Sequence, residues 1–320
     1  MLTKRTSNPS SLLLWERAAP AMQCSAEPNR GRGPLPQTYR LPQRVQQGFT
    51  LVEMVITIVI SSILAVGVLD YIADSTTGFL ESANRSRLAG GGRTALDRMT
   101  MELHNALPNS IRVTAATPSG DQCLEYVPIL KATTYVNPSF SAGGSATFEV
   151  INFNPLTTYA SPAGIYAVIY PNSTDDLYNY DNNRGPLALV DAISDPSGAD
   201  GVMTINLDAA HRFERRSPLQ RLFLVDQPVS FCVVGDKLYR YGNYGFEATQ
   251  CDTALPGCLL PTTLPDRAVF ADNIDNTGLS AFTISDATRR RNAMVSFDLN
   301  MTSQGDTVRL NHEVLIHNVP

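Results

Sequence analysis

From Phe49 to Leu69 every side chain is apolar, small or hydroxylated, with Glu53 the one exception. At about 1.5 Å per residue this run reaches roughly 30 Å, the depth of a bilayer's hydrocarbon core, so the pattern predicts a membrane-spanning helix. Beyond Asp70 the pattern changes. Leu88, Ala95, Met99, Leu103 and Ala106, with Leu96 and Leu107 beside them, recur at three-and-four spacing, while Arg93, Asp97, Arg98 and Glu102 take the intervening positions. The helix therefore continues as an amphipathic one, over residues 49–107 and roughly 90 Å, until Pro108 stops it. Within it Gly90-Gly91-Gly92 predicts a bend or a melted turn, since each helical glycine costs about 1 kcal/mol relative to alanine.

After Pro108 the period shortens to two. Runs rich in Val, Ile, Thr, Tyr and Phe, separated by Pro, Gly, Asn and Asp, predict antiparallel strands at 110–114, 123–130, 146–153, 164–170, 187–190, 202–207, 221–225, 229–234, 237–241, 281–285, 293–300 and 307–317. Gly235-Asp236 links the clearest hairpin, because glycine there can take the positive φ of a two-residue turn. In the last run Val308, Leu310, His312, Val314 and Ile316 share one face. The expectation is an α+β chain: a leader over 1–48, a long helix over 49–107 whose span is 49–69, and a β-rich domain over 108–320. The last is large enough for two packed sheets or two subdomains.

Charge orients this arrangement. The segment before Phe49 carries seven basic residues against Glu16 and Glu27, a net of +5, which leaves −10 for the rest of a chain whose total is −5. The inside-positive bias puts the leader in the cytoplasm and everything after Leu69 across the membrane. Pro9, Pro20, Pro28, Pro34, Pro36 and Pro42 make the leader extended, and Met22 offers a second, shorter start.

Glu53 is the anomaly, because an ionised side chain at bilayer depth costs several kcal/mol and calls for a cation. Gly48-Phe49-Thr50-Leu51-Val52-Glu53 opening a long apolar helix resembles the class III signal of the type IV pilin family. The resemblance implies cleavage by a prepilin peptidase after Gly48 and N-methylation of the new terminus at Phe49. It also implies that the Phe49 amine of a neighbouring subunit meets Glu53 and sets the register of assembly. An ordinary signal anchor with a tolerated carboxylate is the alternative.

Three later stretches, Glu102 to Val113, Cys123 to Ile129 and Pro228 to Cys232, resemble the O-type minor pilins of mannose-sensitive haemagglutinin (MSHA) pili. The partners implied are the peptidase, other pilin subunits through the helix, the inner-membrane assembly machinery and the membrane itself. Many major pilins carry a proline that bends the apolar helix, and this chain has none between Phe49 and Leu107.

Topology also sorts the cysteines. Cys24 leaves with the leader, while Cys123, Cys232, Cys251 and Cys258 lie on the oxidising side, where two disulfides can form. Of the three connectivities, the favoured one joins Cys123 to Cys232, both in predicted strands, and Cys251 to Cys258 across a short loop. A zinc site competes, without the usual ligand spacing.

Enzyme motifs are absent, no cofactor is implied, and His104, His211, His312 and His317 are scattered. Asp175, Asp176 and Asp181 offer hard oxygens to calcium but lack EF-hand spacing. Arg212, Arg215, Arg216 and Arg289 to Arg291 form basic clusters. On so acidic a body they suit solvated faces or subunit contacts better than nucleic acid. The function expected is that of a minor pilin, with a type II secretion pseudopilin or a pilus-tip adhesin as alternatives.

Overall fold

A computed structural model of the chain describes residues 48–153, 164–179, 181–194, 201–251, 260–285 and 293–316. Two compact units divide it, Met1–Ile63 and Leu64–Pro320. In the first, the described residues are the entry to α1, a helix running Leu51–His104. The expected end at residue 107 is corrected by three residues. The Leu107 amide donates to the Val127 carbonyl and the Ile129 amide to that of Asn105, so the chain turns to strand pairing before Pro108 is reached.

The second unit holds two β lobes. The strands are β1 (Arg112–Val113), β2 (Gln122–Tyr126), β3 (Ile129–Thr134), β4 (Ser145–Ile151), β5 (Tyr166–Val168), β6 (Leu187–Ile193), β7 (Val202–His211) and β8 (Arg221–Val225). They continue as β9 (Val229–Val234), β10 (Lys237–Tyr241), β11 (Arg267–Asp272), β12 (Phe282–Ser285), β13 (Ala293–Ser303) and β14 (Asp306–Ile316), with a short helix α2 at Thr174–Tyr178. One sheet has the order β1-β2-β9-β10-β11 and another β12-β13-β14. Both close with the C-terminal part of α1 over a core that includes Leu96, Met99, Leu103, Phe231, Phe297 and Val314.

The remaining strands form the order β3-β8-β5-β6-β7-β4, and its two ends meet. Tyr135 bridges Val150, and the Val136 amide donates to the Glu149 carbonyl at 2.8 Å. This sheet thus curls into a six-stranded antiparallel barrel around Phe148, Val150, Ile205, Leu222 and Leu224. Between the lobes Leu107 and Val127 pack with Leu177, Tyr178, Phe223 and Val225.

Three expectations are corrected here. The bend at Gly90-Gly91-Gly92 is not made: α1 runs through all three. Gly92 is buried, and a Cβ there would collide with Leu310 and press on Met301, so glycine serves close approach of helix to sheet at this position. The run 123–130 is two strands in two lobes, divided at Val127-Pro128, where proline has no N–H for a ladder. Finally β11 and α2 were not expected. Ser173 caps α2 by accepting from the Asp176 amide at 3.2 Å, a local signal just ahead of Asp175 and Asp176.

The expected hairpin is present, with Val234 opposite Lys237 and Gly235 at φ 58°. A longer one joins β13 to β14 through eleven consecutive pairs. Its link, Gln304-Gly305, has positive φ at both residues (51° and 87°), as a tight two-residue turn requires.

Candidate functional site

The motif residues lie where α1 begins. Thr50 stands immediately before the helix, and its hydroxyl accepts from the Glu53 amide at 3.2 Å. The Met54 amide donates to the Thr50 carbonyl, the first bond of the helical ladder. Thr50 and Glu53 therefore occupy the N-cap and third helical positions, the spacing of a capping box, with Phe49 and Met54 placed as a hydrophobic staple. Sequence reasoning about the cleavage motif had passed over this; Thr-x-x-Glu before an apolar run was the signal. Glu53 also places its charge at the positive end of the helix dipole.

Gly48 is different in kind. A Cβ built there would touch nothing, so no contact within the described residues demands glycine. Phe49, Leu51, Val52 and the apolar residues through Leu69 are exposed, and α1 is long and apolar enough to cross a membrane, with none of that stretch buried. Two hydroxyls in this stretch bond back inside the helix: Thr57 donates to the Met54 carbonyl at 2.9 Å and Ser62 to that of Ile58 at 2.6 Å. Such back-bonding removes the cost of a free polar group in hydrocarbon. Among the described residues no cation lies within ion-pair distance of the Glu53 carboxylate.

Farther along, α1 is tied to the first lobe by charge as well as packing. Tyr126, buried, donates to Glu102, whose carboxylate also takes Arg240 Nε at 2.9 Å. Burial, followed by the Glu102 charge, holds the Tyr126 hydroxyl well above its ordinary pKa, so it stays a donor. Earlier along α1, Arg85 Nε donates to Asp306 Oδ1 at 2.8 Å and Asn84 Nδ2 to Asp306 Oδ2 at 3.2 Å. These hydrogen bonds lower the Asp306 pKa.

Glu125 is wholly buried beside Arg112, and Tyr244 donates to its second oxygen at 2.9 Å. Desolvation nonetheless raises its pKa, outweighing the Arg112 hydrogen bond and charge. The Arg112 guanidinium lies 3.5 Å from the Tyr178 ring centroid and donates to the carbonyls of Glu247 and Ala248. It thereby straps that loop to the sheet.

Cys123 and Cys232 face each other in the β2–β9 register and are joined, with Cα atoms 4.1 Å apart. Cys251 is disulfide-bonded, and Cys258, Cys24, His317 and Arg289 to Arg291 lie outside the described residues. No group of three or more His, Cys, Asp or Glu among the described residues is placed to hold a metal. Asp176 instead lies 4.0 Å from Arg215, and Asp181 lies 3.6 Å from Arg184. Arg216 covers the Phe140 ring. His211 is buried, with each ring nitrogen on a backbone carbonyl, and His312 stacks on Phe297. His104 lines an open cleft of about 550 Å³ together with Ala106, Ile129, Thr133, Arg221 and Phe223.

Residues 43–69 match the family model described as the prokaryotic N-terminal methylation motif. No curated protein and no solved structure matches the chain. The motif implies a prepilin peptidase as processing enzyme and other pilins as assembly partners, and with the long apolar helix it implies the inner membrane and then a filament. Carrying the class III signal at the head of a long apolar helix backed by antiparallel sheets, the chain is a type IV pilin- or pseudopilin-like subunit, structural rather than enzymatic.

Proposed function

We propose that the chain is a minor pilin of the MSHA type, processed in the inner membrane and built into or priming the filament. The observation that carries it is the motif at 43–69, in which one exposed carboxylate, Glu53, interrupts an otherwise apolar helix. Cleavage after Gly48 frees the Phe49 amine, cationic near neutral pH, and its methylation keeps the charge. That amine, in a neighbouring subunit, then pairs with Glu53 and fixes the axial register.

The leader stays in the cytoplasm and residues 108–320 fold in the periplasm. The three stretches resembling O-type minor pilins support the finer reading, because they converge. Glu102 meets Tyr126, Arg112 meets Glu125 and Cys123 joins Cys232, all around adjacent β1, β2 and β9.

Amino-terminal sequencing and intact mass of membrane-extracted protein test the processing step, with a terminus at methylated Phe49 expected; a terminus at Met1 or Met22 in assembled filaments would sink the pilin reading. Comparing Glu53→Ala with the unaltered chain in membranes and in sheared filaments tests the register. Loss of the carboxylate strands a buried amine at roughly 3 to 5 kcal/mol, a shift in assembly of about 150-fold to several thousand-fold, while insertion is unimpaired. Normal filament recovery of Glu53→Ala overturns that role. The same signal serves pseudopilins, and recovery with secretion-system pseudopili rather than surface pili would select that reading.

A further inference from the structure

Gly90, Gly91 and Gly92 are all helical, yet packing explains only the third. Gly92 is pressed against Leu310 and Met301, whereas Gly90 and Gly91 are exposed and a Cβ on either would meet nothing. Two helical glycines that no contact among the described residues requires weaken α1 at one place. The Thr94 hydroxyl donates to the Gly90 carbonyl at 2.9 Å, back-bonding of the kind that bends helices.

What grips α1 on either side is unequal. Downstream, Gly92, Ala95, Leu96, Met99 and Leu103 are buried, and Glu102 is held by Tyr126 and Arg240. Upstream, from Leu64 to Ala89, Leu88 is the one buried side chain. Among the described residues the other polar attachment is the pair Asn84 and Arg85 on Asp306, with Asn84 also donating to the Ser303 carbonyl at 3.0 Å. Arg85 is 63% exposed, and ion pairs of that kind hold weakly.

We infer that Gly90-Gly91 is a hinge in α1 and that Arg85 with Asp306 is its latch. When the latch opens, the stretch before Gly90 swings while Gly92 to His104 stays seated on the β13–β14 sheet. The hinge is a property of the subunit and does not depend on the assembly reading.

The test is a distance measurement between nitroxide labels at Phe79→Cys and Asn311→Cys, on the full chain in detergent micelles. The otherwise unaltered chain is expected to give two populations, one latched and one swung. Adding Gly90→Ala and Gly91→Ala should shrink the swung population about 30-fold, the equivalent of about 2 kcal/mol, and Gly91→Ala alone about fivefold. Asp306→Ala should enlarge it a few-fold. A single narrow distance in both the unaltered chain and Asp306→Ala overturns the hinge, as does a swung population that the alanines leave unchanged.

Discussion

The Glu53 amide donates to the Thr50 hydroxyl at 3.2 Å, so two residues of the cleavage motif are also the two ends of a helix cap. Thr50→Ala should cost about 1 kcal/mol at the helix start while leaving the Gly48-Phe49 bond and the Glu53 charge in place. The expected result is slower processing with normal filament entry of whatever is processed. Pulse-chase ratios of precursor to mature chain measure it, and unchanged kinetics would separate the cap from peptidase recognition.

Within the triple glycine, position decides the sign of substitution. Gly90→Ala adds a methyl group to open space and should stabilise by up to about 1 kcal/mol. Gly92→Ala drives Cβ into Leu310 and should destabilise by about 1 to 3 kcal/mol through repacking. Urea midpoints of the two variants, measured in the same detergent, should therefore move in opposite directions.

The bridge between Cys123 and Cys232 closes a loop with a sequence separation of 109. Replacing both by serine should cost about 3 to 5 kcal/mol, by the loop-entropy account of disulfide stability. Protease resistance with and without the bridge reads it. No change would mean that the β2–β9 pairing carries that stability by itself.

Two carboxylates should respond to pH in opposite senses. Asp306 is lowered from its ordinary 3.8 by the Arg85 and Asn84 hydrogen bonds, so its contribution is present above pH 3.8 and lost as pH falls through the depressed value. Glu125 is raised from 4.5 by burial; its folded form holds a proton the unfolded one releases, and stability is lost as pH rises from 4.5 through the raised value. Thermal unfolding from pH 3 to 8 should show Asp306→Asn converging on the unaltered chain at acid pH. For Glu125→Gln the difference from the unaltered chain should shift toward greater relative stability of the variant as pH rises above 4.5.

Much of this arrangement is legible along the chain, for a physical reason. Leu88, Ala95, Leu96, Met99 and Leu103 announce the buried side of α1 because a helix repeats its faces locally, and Val308 to Ile316 do the same for β14 with a period of two. What periodicity does not carry is partnership. Nothing near Tyr135 names Val150 as its neighbour, and the division of 123–130 between lobes is decided where Leu107 bonds Val127. Gly92 was misread because a glycine that breaks a helix and one that admits a neighbouring strand are the same letter; only Leu310 distinguishes them.

The seam at Tyr135 and Val150 bears on crowding. An open sheet of six strands would offer two rims of unpaired amides and carbonyls, each a template for another chain. The bridge just past the end of β3 cancels one short stretch of both rims, Tyr135-Val136 against Glu149-Val150. Copies lying side by side therefore meet this lobe through side chains alone at that point. Among the described residues the sheets of the other lobe end on β1, β11, β12 and β14, and β14, with eleven residues, is the longest of these edges on which a neighbour's backbone could pair.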